Sequence, residues 1–327
     1  AFVGGILAKD FMGKDVLNLL ANQIISHHTG LYDYVEAENI LQEKPLPEEI
    51  DKDNINIDIP LLYKEFLESP FSKFKVDRKH FHHLSRMLFS CLVDADRLDT
   101  EQFMNLESWQ KRKCSSTVVD LLPKLEAHLQ KLQLDAVDTE VNRIRRKVQE
   151  QCSKTSLGEK GFYSLTVPTG GGKTLSSLLW AMKHAANHAM NRIIIAIPYT
   201  SIIVQTAGLL KKIFGEENVL EHHSNFNPDD IKNEEVREKA KLATENWDYP
   251  IIVTTNVQLF ESMFSNRPSD CRKLHNIVNS VIILDEVQTL PTDFLQPIVD
   301  AMKAYQKMFG VSILFTTASQ PVLSGLI

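Results

Sequence analysis

The sequence predicts an all-α half followed by an α/β half built on a parallel sheet with a glycine-rich loop. Three observations carry that prediction. Up to about Cys152, apolar residues recur at helical spacing with no strand-like run. Beyond it, short β-rich runs alternate with helical segments, the signature of βαβ units whose ligands gather at strand C-termini. Finally, Pro168-Thr169-Gly170-Gly171-Gly172-Lys173-Thr174 falls between one such run and the next helix.

In the first half, Val16, Leu19, Leu20, Gln23 and Ile24 form a helical stripe ahead of His27, and further helices are expected over 84–98, 118–132 and 137–151. The acidic, proline-bearing stretch 45–60 reads as a surface loop, and 154–161 as a linker. Strands are expected over 162–167, 192–197, 251–255, 281–284 and 311–316. Helices are expected over 174–190, with Leu175, Leu178, Leu179, Met182 and Ala186 along one face, and over 201–214, 229–247, 257–264 and 293–309. The domain division that follows is 1–115, a helical connection over 116–153, and 154–327.

With 327 residues the chain is long enough for two ordinary cores, and its 43% hydrophobic and 24% charged residues are globular values. A net charge of -6 excludes a uniformly basic coat, so any nucleic-acid contact must use a local groove. Cys91, Cys114, Cys152 and Cys271 are widely spaced, which signals neither a zinc knuckle nor a disulfide framework and fits a reducing cytoplasm. No run approaches the roughly 20 apolar residues of a membrane span, so no membrane partner is expected. The chain opens on Ala1 without an initiator Met, and a fragment of a longer protein is expected.

The chemistry sits in two places in the second half. In the glycine loop, backbone N–H groups can turn toward a phosphate at a helix N-terminus, while Lys173 and the Thr174 hydroxyl reach phosphates and Mg²⁺. Val167 stands where the strict G-x-x-x-x-G-K-[ST] pattern has its first Gly. The apolar run Val281-Ile282-Ile283-Leu284 then delivers Asp285-Glu286-Val287-Gln288 to a strand tip. In phosphoryl transfer the first carboxylate would hold Mg²⁺ and the second would position the attacking water. Two further turns, Ile197-Pro198-Tyr199-Thr200-Ser201 and Val253-Thr254-Thr255-Asn256-Val257-Gln258, read either as helix caps or as a grip on a phosphodiester backbone. Thr316-Thr317-Ala318-Ser319-Gln320-Pro321 follows the last strand and could relay between nucleotide and nucleic acid.

These motifs, in this order, resemble motifs I, Ia, Ib, II and III of the first RecA-like lobe of superfamily 2 helicases. The helical half adds Ser26-His27-His28-Thr29-Gly30 and, later, Asp94-Ala95-Asp96. A helical domain with these motifs ahead of a helicase lobe resembles the HD nuclease–helicase of type I CRISPR systems, which Cascade recruits to degrade invading DNA. The resemblance runs through nearly the whole chain. It departs at Gln288, where many members have His, and at Ser319, where Thr is frequent.

The resemblance implies an all-α HD-type nuclease domain, its N-terminal part missing, followed by a RecA-like α/β domain with a P-loop whose second lobe lies beyond Ile327. It implies ATP and Mg²⁺ at Thr169, Gly170, Gly171, Gly172, Lys173, Thr174 and Gln288, with Lys173, Asp285 and Glu286 catalytic and Thr174 and Asp285 holding Mg²⁺. His27, His28 and Asp96 become ligands of a divalent transition metal, Mn, Co, Ni or Fe, with Asp94 competing for the single acidic position; further ligands are expected upstream of Ala1. Single-stranded DNA and a Cascade-type effector complex are the implied partners. Leu220-Glu221-His222-His223-Ser224 resembles a family segment on the DNA-facing side. Read alone, His82-His83 and His222-His223 are exposed polar pairs, and Arg143, Arg145, Arg146 and Lys147 are either a solvated face or a DNA contact. Two rivals remain: a superfamily 2 translocase whose helical half is structural, and a binding module that senses nucleotide without hydrolysing it.

Overall fold

The computed structural model describes residues 14–43, 78–112, 116–168 and 170–318. The 45–60 loop, Cys114, Thr169 and Ser319 lie outside them. In chain order the elements are α1 (Lys14–Ser26), α2 (Tyr34–Glu43), α3 (Phe81–Met104), α4 (Leu106–Lys111), α5 (Val118–Leu134), α6 (Glu140–Thr155), β1 (Phe162–Thr166), α7 (Lys173–Asn187) and β2 (Arg192–Ile197). Then come α8 (Thr200–Phe214), β3 (Val219–His222), α9 (Glu234–Asn246), β4 (Ile251–Thr255), α10 (Asn256–Phe264), the one-turn α11 (Pro268–Cys271), β5 (Ser280–Asp285), α12 (Leu295–Phe309) and β6 (Ser312–Thr317). They fall into two compact units, one of Ala1–Arg97 with Ser265–Arg272 and one of Leu98–Phe264 with Lys273–Ile327.

Among its described residues the first unit is helical. Ala21 and Ile25 on α1 bury against Ala37 and Leu41 on α2, with Tyr32 and Ile40 at the margin, the i, i+4 spacing of two facing helical stripes. Met87, Phe89 and Val93 are the buried apolar positions of α3.

The second unit is built on a six-stranded sheet of order β1-β6-β5-β2-β4-β3, parallel at every pairing. A parallel strand covered on both faces reads as a continuous apolar run, and Ile193 to Ile197 and Val281 to Leu284 are buried throughout. Register places Thr166 opposite Thr317 and Asp285 opposite Thr316, so the motif-bearing tips share one edge of the sheet.

Helices α5 and α6, expected as a connection, are part of this unit's core. Val118, Leu121, Leu125 and Leu129 on α5 and Cys152 on α6 cluster with Leu178, Leu179 and Met182 of α7 and with the sheet isoleucines. A capping box starts α5: the Thr117 hydroxyl accepts from the Asp120 backbone N–H, and the Asp120 carboxylate accepts from the Thr117 N–H.

Two helices begin later than the periodicity predicts. A 3₁₀ turn occupies Pro228–Asp230, and α9 starts only after Asn233, whose side chain caps Val236 N. A similar turn at Thr292–Phe294 precedes α12. Strand β3 is absent from the sequence reading, because four residues interrupted by Glu221 and His222 give no β pattern. It is an edge strand, where short and polar sequences are favoured. Nor do the histidine pairs lie wholly exposed: His83 and His223 are buried.

Candidate functional site

At the C-terminal edge of the sheet the glycine loop leaves β1 and enters α7. Gly170 and Gly172 both sit at φ +82°, the left-handed region that glycine enters without steric cost. Gly171 is required for another reason: a Cβ there would lie 2.5 Å from Val167 Cγ1 and 2.9 Å from the Pro168 carbonyl oxygen. Val167 therefore fits this loop, since its buried side chain fills the space that Gly171 leaves.

Lys173, the first residue of α7, projects to the tip of β5. Its ammonium lies 2.9 Å from Asp285 Oδ1 and donates to Glu286 Oε1 as well. Asp285 also accepts from the Thr316 hydroxyl at 2.5 Å, the neighbour that the β5–β6 register provides. Glu286 has left-handed backbone geometry at φ 47°, uncommon for a residue with a side chain. Gln288 links it onward, donating to Glu286 Oε2 at 2.5 Å and accepting from the Thr317 hydroxyl at 2.8 Å.

The electrostatics follow from this geometry. Burial works against the Glu286 charge, but hydrogen bonds from Lys173 and Gln288 outweigh it and hold the carboxyl below its usual range. Burial likewise opposes the Lys173 charge, and the Glu286 and Asp285 carboxylates overcome it and raise its pKa. The Lys173–Glu286 pair is thus charged at neutral pH, and it opens on a cleft of about 360 Å³, lined by Gly170, Gly172, Lys173, Thr174, Glu286 and Arg145 among others.

Arg145, read from sequence as part of a solvated face or a DNA contact, is exposed and also takes a role that neither reading gave it. Its guanidinium donates through Nε at 3.0 Å and Nη2 at 2.7 Å to the Gly170 carbonyl, fastening α6 to the loop. Arg143 and Arg146 turn away to share Asp138. The signal was available: Arg145, Gln149 and Cys152 lie at i, i+4 and i+7, and Cys152 is buried in the core.

The two flanking turns differ. Helix α8 begins after Tyr199 with no side-chain cap, leaving the Thr200 and Ser201 hydroxyls out of that role. At α10 the Thr255 hydroxyl does cap, accepting from Gln258 N at 2.9 Å.

In the first unit, His27, His28 and Asp96 come together, each offering a donor atom within 4.8 Å of the others. His27 Nδ1 meets the Ile24 carbonyl at 2.7 Å, which turns Nε2 toward Asp96 Oδ1, 4.0 Å away. That span is about twice the ~2.0–2.2 Å reach of an imidazole or carboxylate to a divalent metal, and a backbone acceptor on the other nitrogen is the usual second partner of a ligating His. The donor set fits a metal. Asp94 takes no place in it: buried on α3, its Oδ1 accepts from Arg272 Nε at 2.6 Å.

The glycine loop, the Asp285-Glu286 tip and the parallel sheet that aligns them agree with one comparison that covers more than half of the chain: the DEAD/DEAH box helicase family matches residues 146–324. The chain belongs to that family. Its curated relatives include the CRISPR-associated nuclease/helicase Cas3 of Haloferax volcanii, 25% identical over 230 residues, or 61% of this chain and 24% of that protein. A putative CRISPR-associated nuclease/helicase Cas3 of Methanocaldococcus jannaschii is 37% identical over 134 residues, 38% of this chain and 18% of that protein. The chain thus spans about a quarter or less of these relatives. The crystal structure of T. fusca Cas3-AMPPNP shares the fold with TM-score 0.59 at 14% identity, covering 96% of this chain and 38% of that one. The kinship of this family member is with Cas3-type superfamily 2 helicases. Among the described residues, no helix is long and apolar enough to cross a membrane.

Proposed function

We propose that this chain carries the first motor lobe and an HD-type nuclease unit of a cytoplasmic enzyme that uses ATP to draw single-stranded DNA and cuts it, serving CRISPR interference with a Cascade-type complex. The observation that carries the motor reading is the Lys173 ammonium bonded to both Asp285 and Glu286 at the mouth of the glycine-loop cleft. Phosphate oxygens entering there meet backbone N–H groups of the loop and of the first turn of α7, and compete with the two carboxylates for Lys173. In this reading Asp285 and the Thr174 hydroxyl hold the Mg²⁺ that accompanies ATP, Glu286 orients water toward the γ-phosphate, and Gln288 ties Glu286 to Thr317 at the end of β6.

At the HD-type site, His27, His28 and Asp96 would hold a divalent transition metal, Mn, Co, Ni or Fe. Such a metal supplies Lewis-acid activation of a phosphodiester and a nucleophilic water at neutral pH. His27, with Nδ1 committed to Ile24, ligates through Nε2, while the exposed His28 leaves the cluster open to an incoming strand.

The test is DNA-stimulated ATP hydrolysis alongside metal-dependent cleavage of single-stranded DNA by the intact protein. Glu286→Gln should abolish the first and spare the second, and His28→Ala the reverse. Nucleotide binding without hydrolysis in the wild type would leave a sensing module. Cleavage that survives both His27→Ala and His28→Ala would leave a translocase with a structural helical half.

A further inference from the structure

The three metal-facing donors come from two separate elements: His27 and His28 from the turn after α1, Asp96 from α3. A side-chain hydrogen bond joins these elements directly, Gln23 Nε2 to Ser85 Oγ at 2.7 Å. Residues 265–272, more than 160 positions further along the chain, hold both. On one side the Asn266 carbonyl accepts from Leu31 N at 2.8 Å, and Asn266 Nδ2 donates to the Leu31 carbonyl at 3.3 Å. The approach is close: Gly30 sits at φ +123°, and a Cβ there would stand 3.1 Å from the Asn266 oxygen. On the other side Arg272 Nε donates to Asp94, Ser90 Oγ donates to the Arg272 carbonyl at 3.1 Å, and Arg86 Nε donates to the Ser265 carbonyl at 3.1 Å. The segment is braced internally by Ser265 Oγ to Asp270 Oδ2 and by Cys271 Sγ to the Ser265 carbonyl, both 3.0 Å.

We propose that Ser265–Arg272 is a clamp that sets the spacing of His27, His28 and Asp96, with Arg272 and Asn266 as its positioning residues. Asp94 and Asp96 are two positions apart on α3 and therefore about 200° apart around its axis. Fixing Asp94 to Arg272 thus fixes the rotation that turns Asp96 toward the imidazoles. The Arg272 and Asp94 side chains are 3% and 7% exposed, and a buried ion pair contributes little net stability compared with well-packed apolar residues. What it does supply is direction, because the guanidinium accepts only one carboxylate geometry. The clamp's contacts lie in the first unit, while the residues on either side of it, Phe264 and Lys273, belong to the second. Its two ends are therefore covalently continuous with α10, which follows the motif at Thr254-Thr255, and with the chain that leads into β5.

The inference rests on the metal reading, and Co²⁺ titration of the intact protein, followed by absorption spectroscopy, separates the two. Arg272→Gln should weaken Co²⁺ binding about tenfold, the lower end of what losing a ligand's own hydrogen-bond partner costs, and change the Co²⁺ spectrum, with ATP affinity unaltered. The double variant Asp94→Asn/Arg272→Gln, which keeps a hydrogen bond without buried charge, should restore affinity and spectrum. Asn266→Ala, which removes one exposed bond, should weaken Co²⁺ severalfold even if Arg272→Gln fails to fold. Wild-type Co²⁺ affinity in folded Arg272→Gln or in Asn266→Ala overturns the clamp and leaves the metal site standing. If His28→Ala binds Co²⁺ as the wild type does, the metal reading itself falls, and the clamp with it.

Discussion

Lys173 Nζ stands 2.9 Å from Asp285 Oδ1, so one ammonium joins the N-terminus of α7 to the tip of β5, 112 positions later in the chain. The same ammonium also donates to Glu286, so it ties the glycine loop to both carboxylates of the β5 tip. Lys173→Ala should remove ATP-driven unwinding and weaken nucleotide binding at least tenfold, while single-strand cleavage by the intact protein persists. Isothermal titration with ATP and a duplex-unwinding assay check this, and wild-type unwinding would mean that the glycine loop has been misread.

Much of this site was legible beforehand, and the reason is physical. A buried parallel strand must be apolar throughout, so Val281 to Leu284 announced β5 and with it the placement of Asp285 and Glu286. The three glycines likewise announced a turn that only glycine can make. What escaped depends on tertiary partners. Strand β3 is specified by its pairing with β4, not by its own Glu221 and His222. Arg145 gained its place because α6 packs on α7, a contact whose trace in the sequence is the i, i+7 spacing from Arg145 to the buried Cys152. Asp94 competed with Asp96 for the single acidic position, and what separates them is Arg272, 178 residues on from Asp94, whose guanidinium Asp94 accepts from.

Glu286→Gln should slow hydrolysis about 100-fold or more while leaving ATP and Mg²⁺ binding near wild type, since Asp285 and Thr174 remain. The amide oxygen can still accept from Lys173, so the loop geometry survives. Single-turnover hydrolysis with retained nucleotide is the expected signature. A variant that binds no ATP would mean that Glu286 is itself structural or a metal ligand.

Arg145→Ala tests the residue that joins α6 to the loop. Two hydrogen bonds to the Gly170 carbonyl are lost at a partly solvated position, a loss worth about 1 kcal/mol, or roughly fivefold in ATP affinity. Arg145→Lys should recover little, because a single ammonium cannot reproduce the paired Nε and Nη2 donors. Equal ATP affinity in all three proteins would show that the loop needs no fastening from α6.

Acid should destabilise the second unit through one histidine, His222. Trp247 Nε1 donates to His222 Nδ1 at 2.9 Å on edge strand β3, an arrangement that requires Nδ1 to be unprotonated. Burial first, then the Lys273 and His223 charges, push the His222 pKa from its usual 6.5 down to about 3. Between those values the unfolded chain binds the extra proton and the folded chain does not, so stability rises with pH across the window. The contribution is complete above pH 6.5 and is lost progressively as pH falls toward 3. From pH 7 to pH 5 this one group should cost about 2 kcal/mol. His222→Gln offers an amide oxygen to Trp247 and does not titrate, so its urea midpoint, followed by tryptophan fluorescence, should fall less over that interval than the wild type's. Parallel pH profiles for the two proteins would show that His222 is already free to take its proton in the folded state.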